Sequence, residues 1–482
     1  MPNLDSFKAN GMTELTRLSA TEMTNEIRRR NLSPLELVQA HLKVIHQLNP
    51  QLNAFVTIDE ERALRAASSA EAVVMRNLDL GPLHGVPLTI KSSIDVGGLS
   101  CETGSRLRAG TVPSADAPLV SRLKKAGAII LGNTNVPELL MAYETDNLLY
   151  GRTNNPWDLE RTPGGSSGGE SAAIAACCSA GGVGSDGGGS IRIPAHFAGI
   201  CGLKPTPGRI PASGHFPASA GPFAQLGVVG PMARTVGDVQ IMFEAMAGPD
   251  AGDPCAAPAP LRFPTDQEVR ALHVGYFEDD GKVPVTAETR AAVRVAADRL
   301  KDGGFHVSSF RPEGLEQARE LWWQLFGLAG GFVLGPMIEG RESDISPVLK
   351  GFVKLVRKDP PLTLESFMNT LLTRDSLRAQ FLKQMEPFPI LIGPVCSIPA
   401  FRHGEREWKI EGQSVTYLDA MSYTQWFNLL GNPAAVVPVG RSPEGLPIGV
   451  QVIGKPYCEE EVLAVAAEIE RGLPWQAPPM IA

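Results

Sequence analysis

Long basic runs are missing from this 482-residue chain. No run of lysine or arginine exceeds Arg28-Arg29-Arg30, and 44 basic against 52 acidic side chains leave a net charge of -8. With a pI near 5.6, that balance argues against nucleic acid as the main partner. Also absent is an unbroken apolar stretch of the roughly 18 residues that a membrane span requires. Met1-Pro2-Asn3-Leu4-Asp5 offers neither a basic n-region nor an apolar h-region. A cytoplasmic protein without a membrane partner is the expectation. Cysteine is scarce: the seven residues are odd in number and include no C-x-x-C pair. That disfavours a disulfide framework and a cysteine zinc site, and Cys177-Cys178 reads as two small apolar helix residues.

What is present is an ordinary globular composition, 43% hydrophobic and 20% charged, enough for a large core. The length allows several domains or one large sheet, and the rhythm of elements favours a single domain over 1–482. Residues 1–78 read as a helical layer. Ser19-Ala20-Thr21-Glu22 is a capping box, Ser33-Pro34 places proline at a first helical position, and an Ala-rich helix covers Glu60 to Met75. A core over 79–247 alternates strand and helix. Gly85-Val86-Pro87-Leu88-Thr89-Ile90-Lys91 and Ala128-Ile129-Ile130-Leu131-Gly132 are apolar runs too short for helices, with a helix between them that starts at Pro118 and stops at Gly127. This alternation predicts an α/β fold with helices layered on both sides of a central mixed sheet. The Pro/Gly/Ala-rich stretch 207–224 is a candidate lid, followed by a helix from Val236 to Met246. Beyond a Pro-rich connector at 249–264, a strand near His273 and a helix from Thr286 to Leu300 resume the rhythm. Residues 314–386, with Trp322, Trp323, Phe326, Phe332 and Phe352, read as an inserted helical cap. Apolar runs at 389–394, 434–439 and 447–453 return to the sheet, the last two as a hairpin.

Glycine and serine crowd two places, Pro163-Gly164-Gly165-Ser166-Ser167-Gly168-Gly169-Glu170 and Gly184-Ser185-Asp186-Gly187-Gly188-Gly189-Ser190-Ile191-Arg192. Glycine is entropically costly, so this density marks two turns or close approaches. A flexible linker would not enclose the apolar segment between them. Chemistry is expected here. Gly165-Ser166-Ser167-Gly168-Gly169 fits a G-x-S-x-G elbow with Ser167 as nucleophile, yet no hydrophobic strand precedes it. A serine nucleophile needs a base. His196 and His215 lie nearby in sequence, but neither stands in a triad context. No G-K-[ST] follows the glycines, which argues against a phosphate cradle. Lys91 closes a buried strand, where an isolated lysine most simply reaches for solvent.

Gly164 to Ser171, Asp186 to Pro194 and Gly202-Leu203-Lys204-Pro205-Thr206 together resemble the signature of the amidase signature family. The resemblance continues in chain order through Val86 to Lys91, Gly132 to Glu138, Thr153 to Asp158 and Gly445 to Gln451, with the helical cap as its weakest part. It implies a Ser-Ser-Lys triad that needs no metal or cofactor: Ser190 as nucleophile, Ser166 after a cis peptide as bridge, and Lys91 as base. Such a lysine must be neutral, which means lowering its pKa from about 10.4 to near 7, on the order of 4 to 5 kcal/mol, an effect that burial imposes. The N–H groups of Gly187, Gly188, Gly189 and Ser190 would form an oxyanion nest, each donor worth about 3 kcal/mol. Ser167 would support the network. Asp186 and Arg192 would brace the loop as a surface pair contributing under about 1 kcal/mol. Where the family often has Thr-Asp-Thr-Gly-Gly-Ser, this chain has Ser185 and Gly187, and Gly187 is expected to loosen the oxyanion turn. Ser92 follows the lysine where aspartate is common.

The overall match looks closest to metagenomic urethanases of that family. This implies cleavage of the C–N carbonyl linkage of small-molecule amides and carbamates through an acyl- or carbamoyl-enzyme, with esterase side activity; Met141, Tyr143, the 207–224 loop and the aromatic residues of the cap are expected to wall an apolar pocket beside the Ser/Gly cluster. Two alternatives stay open: a glutamine-dependent amidotransferase A-type subunit that works with partner proteins and tRNA, and a catalytically silent binding module. Charge balance and the helical cap weigh against the first, and the complete Ser190, Ser166 and Lys91 set against the second.

Overall fold

The computed structural model describes residues 13–481, so Met1 to Asp5 lies outside it. Nine strands come first along the chain: β1 (Phe55–Ile58), β2 (Pro87–Lys91), β3 (Ile129–Thr134), β4 (Gly181–Asp186), β5 (Cys201–Lys204), β6 (Val228–Ala233), β7 (His273–Tyr276), β8 (His306–Ser309) and β9 (Ile390–Pro394). A separate hairpin, β10 (Glu407–Ile410) with β11 (Gln413–Thr416), precedes β12 (Ala434–Arg441) and β13 (Pro447–Gly454). Among the described residues, eleven of these strands form one sheet in the order β1-β3-β2-β4-β6-β5-β12-β13-β9-β7-β8. The sheet is mixed: β2 runs parallel to both β3 and β4, whereas β4 and β6 are antiparallel. β12 and β13 form the expected hairpin, with Ala434 opposite Ile453.

Helices lie on both faces of this sheet, and alternate side chains of each strand feed two cores. Ile390 and Ile392 of β9 and Val450 and Val452 of β13 join Phe243 of helix Val236–Met246 and Val462 of helix Glu459–Glu470. Leu391, Val436 and Ile453 point the other way, to Phe197 of helix Arg192–Ala198 and Trp426 of helix Ser422–Leu429. A strand covered on both sides reads as a continuous apolar run, which is why β9, β12 and β13 are legible in the sequence. A third cluster packs helices Pro34–Leu52 and Glu60–Met75 against β1, β3 and the alanines of helix Gly168–Ala175. Both N-terminal signals hold: Ser19 makes its capping box with Glu22, and the Ser33 hydroxyl accepts from Leu35 and Glu36.

Two elements differ from expectation. The second glycine run predicts a turn, but its first half belongs to β4, buried throughout. Low strand propensity is overridden by a close approach. A Cβ at Gly182 would overlap the Glu170 carboxyl of the helix lying across it. The second difference is one of apolarity: the segment after 314 is helical, as read, but begins with a helix of span length. Leu315–Trp322, a π-helical turn over Trp323–Leu328, and Ala329–Ile338 run on as one 24-residue helix with a mean hydropathy of 1.4 over 18 residues. By length and composition it is apolar enough for a span, although Arg319 and Gln324 break its apolar run in sequence. Its inner side packs Trp322, Leu325 and Leu334 into the protein. Helices Pro347–Val356 and Leu364–Gln384 follow.

Candidate active site

Strand alternation decides where Lys91 goes. Leu88 and Ile90 enter one core, so Thr89 and Lys91 face the opposite side, toward helix Gly168–Ala175. The solvent-reaching reading is therefore wrong: Lys91 is 0% exposed. Its Nζ lies 2.7 Å from Ser166 Oγ, 2.9 Å from Ser167 Oγ, 2.9 Å from Ser185 Oγ and 3.4 Å from the Ser185 carbonyl. Desolvation drives the amine's pKa well below its ordinary value, and the Asp186 and Glu170 carboxylates offset part of that. A neutral lysine has two N–H donors and one lone pair. In that form at least one of the three surrounding hydroxyls would donate to Nζ.

The Gly165–Ser166 peptide is cis. Ser167 occupies the N-cap position of helix Gly168–Ala175 but makes no cap bond. Its hydroxyl instead accepts from Lys91 and, at 3.3 Å, from the Ser185 N–H. Buried in this way, Ser167 does not present the exposed nucleophile that an elbow requires. Ser190 is half-buried and is tied in place by the Ser167 N–H, which donates to its carbonyl at 3.2 Å. Ser166 and Ser190 line one cavity with about 690 Å³ of empty space, open mouth included, whose walls include Met141, Phe223, Phe326 and Leu334. That size and apolar lining suit a small ligand.

Asp186 and Arg192 pair, but not at the surface: both side chains are 0% exposed. Arg192 Nε and Nη2 grip the two carboxylate oxygens at 3.0 Å each, and Asn428 donates to Oδ1 at 3.0 Å. Burial alone would raise the Asp186 pKa, yet Arg192, Lys204 and Asn428 hold it below the usual carboxylate range. Asp186 Oδ1 also accepts the Gly189 N–H at 2.7 Å. Gly189 is thereby withdrawn from the expected oxyanion donors. The Gly187 turn is not loose either, because Trp322 Nε1 donates to its carbonyl at 2.8 Å. Met141 lines this cavity, and Tyr143, which donates to the Gly188 carbonyl at 3.1 Å, lines a neighbouring one together with Met141, Gly188 and Ser190.

Among the described residues neither candidate histidine bonds a carboxylate. His196 sits between backbone groups of Ile398 and Gly449, and His215 meets the Pro217 carbonyl and Ser93. Burial lowers both to about 4. Residues 217–219 and Phe223 supply part of the cavity wall, placing the 207–224 loop beside the site.

Residues 36–463 match the family model for amidases. The chain belongs to the amidase family. It is 36% identical over 457 residues to an indoleacetamide hydrolase of Bradyrhizobium diazoefficiens, covering 94% of this chain and 86% of that one. An acylamidase of Rhodococcus erythropolis is 34% identical over 475 residues, covering 96% and 98%. The A-type subunit of a Synechococcus glutamyl-tRNA(Gln) amidotransferase is 32% identical, covering 92% and 90%. Among solved structures, a bacterial aryl acylamidase of the amidase signature family superposes with a TM-score of 0.85 at 27% identity, covering 96% of this chain and 98% of that one. This amidase is an amide-hydrolysing enzyme.

Several partners of the site escape sequence reasoning. Asn428 and Gln451 reach Arg192 from more than 230 residues away, and Thr424 donates to the Gly188 carbonyl. Ser185 is visible in sequence only as a small hydroxyl residue beside Asp186. Strand alternation along β4 is the available signal for it, and the glycines around it hide the strand.

Proposed function

We propose that this amidase hydrolyses aryl and alkyl carbamates as well as amides, with Ser190 as nucleophile, Ser166 as proton relay and Lys91 as base. The observation carrying the reading is the buried amine of Lys91, 2.7 Å from the Oγ of Ser166, a residue that lines one cavity with Ser190. Ser190 Oγ attacks the carbonyl carbon; its proton passes to Ser166 Oγ, whose own proton passes to Lys91 Nζ. The N–H groups of Gly187, Gly188 and Ser190 receive the developing oxyanion. Collapse of the tetrahedral intermediate breaks the bond to the leaving group, which takes a proton from Lys91 back through Ser166. Water then repeats the sequence and frees Ser190. Ser167 and Ser185 hold the lysine, and the Asp186–Arg192 pair holds the loop. An ester, whose leaving group needs less help from an acid, follows the same path as a side reaction.

Substrate class follows from the walls. Carbon-rich neighbours such as Met141, Phe223 and Phe326 favour aryl and alkyl groups, whereas the charged end of glutamine would lose water against a wall with few polar partners. The amidotransferase reading is less well served by such a cavity. Turnover of an aryl carbamate, an anilide and glutamine by one preparation is the test. Rates on the first two well above any glutaminase activity, with no added protein or tRNA, are expected. Hydrolysis of glutamine alone, and only with a partner added, would overturn the proposal.

A further inference from the structure

We propose that Trp322 and Phe326, on the helix that follows residue 314, set the oxyanion donor and choose the group that binds beside it: Trp322 positions the Gly187–Gly188 peptide, and Phe326 is the specificity-determining wall. The proposal rests on Ser190 being the nucleophile.

Peptide planarity makes the carbonyl of one residue and the N–H of the next point in opposite directions. Tyr143 Oη and Thr424 Oγ1 hold the Gly188 carbonyl, at 3.1 and 2.8 Å, and the N–H on the far side of that peptide goes to Asp186. The preceding peptide is held by Trp322, whose Nε1 donates to the Gly187 carbonyl at 2.8 Å. Its opposite end is the Gly188 N–H, one of the proposed oxyanion donors. Trp322 thus aims that donor.

Phe326 stacks on Trp322 with ring centres 4.7 Å apart and planes at 12°. The two rings sit four residues apart on a helix that becomes π-helical over Trp323–Leu328, a distortion that often accompanies function. The stack and the loop are fitted to each other. A Cβ on Gly187 would stand 2.8 Å from Phe326, and one on Gly188 2.5 Å from Trp322. Glycine at 187 is therefore the counterpart of Phe326. Phe326 also faces the cavity that Ser166 and Ser190 line. A bound apolar group presses on the same ring that rests on the oxyanion loop.

Steady-state kinetics on a small and a bulky anilide test this, with circular dichroism and melting curves confirming folding of each variant. Trp322→Phe keeps a ring and loses the donor; kcat is expected to fall about tenfold or more with KM changed less than about twofold, and Trp322→His, which can offer an N–H, should recover part of it. Phe326→Ala should raise KM for the bulky anilide at least about fivefold and leave the small one little changed. Gly187→Ala should lose most activity and regain it in part when combined with Phe326→Ala. Unchanged kcat in Trp322→Phe, equal effects of Phe326→Ala on both anilides, or a double variant no better than Gly187→Ala would overturn the proposal. Where Gly187→Ala fails to fold, the Trp322 and Phe326 variants decide by themselves. Failure of the underlying mechanism shows separately, as retained activity in Ser190→Ala.

Discussion

Lys91 is surrounded by hydroxyls and excluded from water, and its chemistry follows from that contrast. Desolvation lowers its pKa, while Asp186 and Glu170 keep the shift from being larger. Glu170 is itself raised to about 7 by burial, though Thr89 and Thr134 donate to it. A base works only when deprotonated, so kcat/KM should rise with pH through the depressed folded-state pKa and level off above it. Lys91→Ala should lower kcat/KM by about 100-fold or more, and Lys91→Arg should do no better because guanidinium does not deprotonate. Substantial turnover by Lys91→Arg at neutral pH would remove lysine from the mechanism. At the same scale, Ser190→Ala should abolish hydrolysis while Ser167→Ala keeps a measurable fraction, since among the described residues Ser167 Oγ bonds only Lys91 and Ser185. Activity lost in Ser167→Ala but kept in Ser190→Ala would restore the elbow reading.

The element that joins strand to chemistry is the run from β4 into helix Arg192–Ala198, turning about the Asp186 carboxylate. That carboxylate collects N–H groups from the backbone of Gly189, Ile191 and Arg192 and from Nε and Nη2 of the Arg192 guanidinium. A buried charge stripped of its partner is costly. Arg192→Met should therefore destabilise the protein by about 3 to 5 kcal/mol, read as a lower urea midpoint, far beyond the value a surface pair would have. A loss below about 1 kcal/mol would mean that Asn428 and the backbone suffice to hold the charge.

Across the whole molecule, buried lysines make stability depend on pH. Lys204, at the end of β5, is 0% exposed and lowered from 10.5 to about 7, chiefly by burial and then by Arg192. Between pH 7 and 10.5 the unfolded chain binds more protons at this position than the folded one, so its contribution to stability rises with pH. Lys204→Met removes the term. The unfolding free energy of the variant relative to the parent, from urea titrations, should be most favourable at pH 7 and decline toward pH 10, by up to about 1.4 kcal/mol per unit. A difference independent of pH would show that Lys204 stays charged in the folded protein.

Elements whose signals are local are readable from the chain alone. Capping residues at Ser19 and Ser33, apolar runs at β2, β3, β9, β12 and β13, and helix Val236–Met246 needed only short-range periodicity and turn chemistry. The signature segments likewise named Lys91, Ser166 and Ser190 before any geometry. Tertiary structure decided what depends on contacts between distant parts of the chain. It made a strand of the glycine-rich Gly181–Asp186, because Glu170 needs the space that a side chain at 182 would fill. It buried Lys91 and the Asp186–Arg192 pair, whose residue types alone suggest the surface. And it laid Trp322 against Gly187, 135 residues earlier in the chain. Propensity and pattern act over a few residues, whereas burial and hydrogen-bond partners are set only when the sheet closes its neighbours over them.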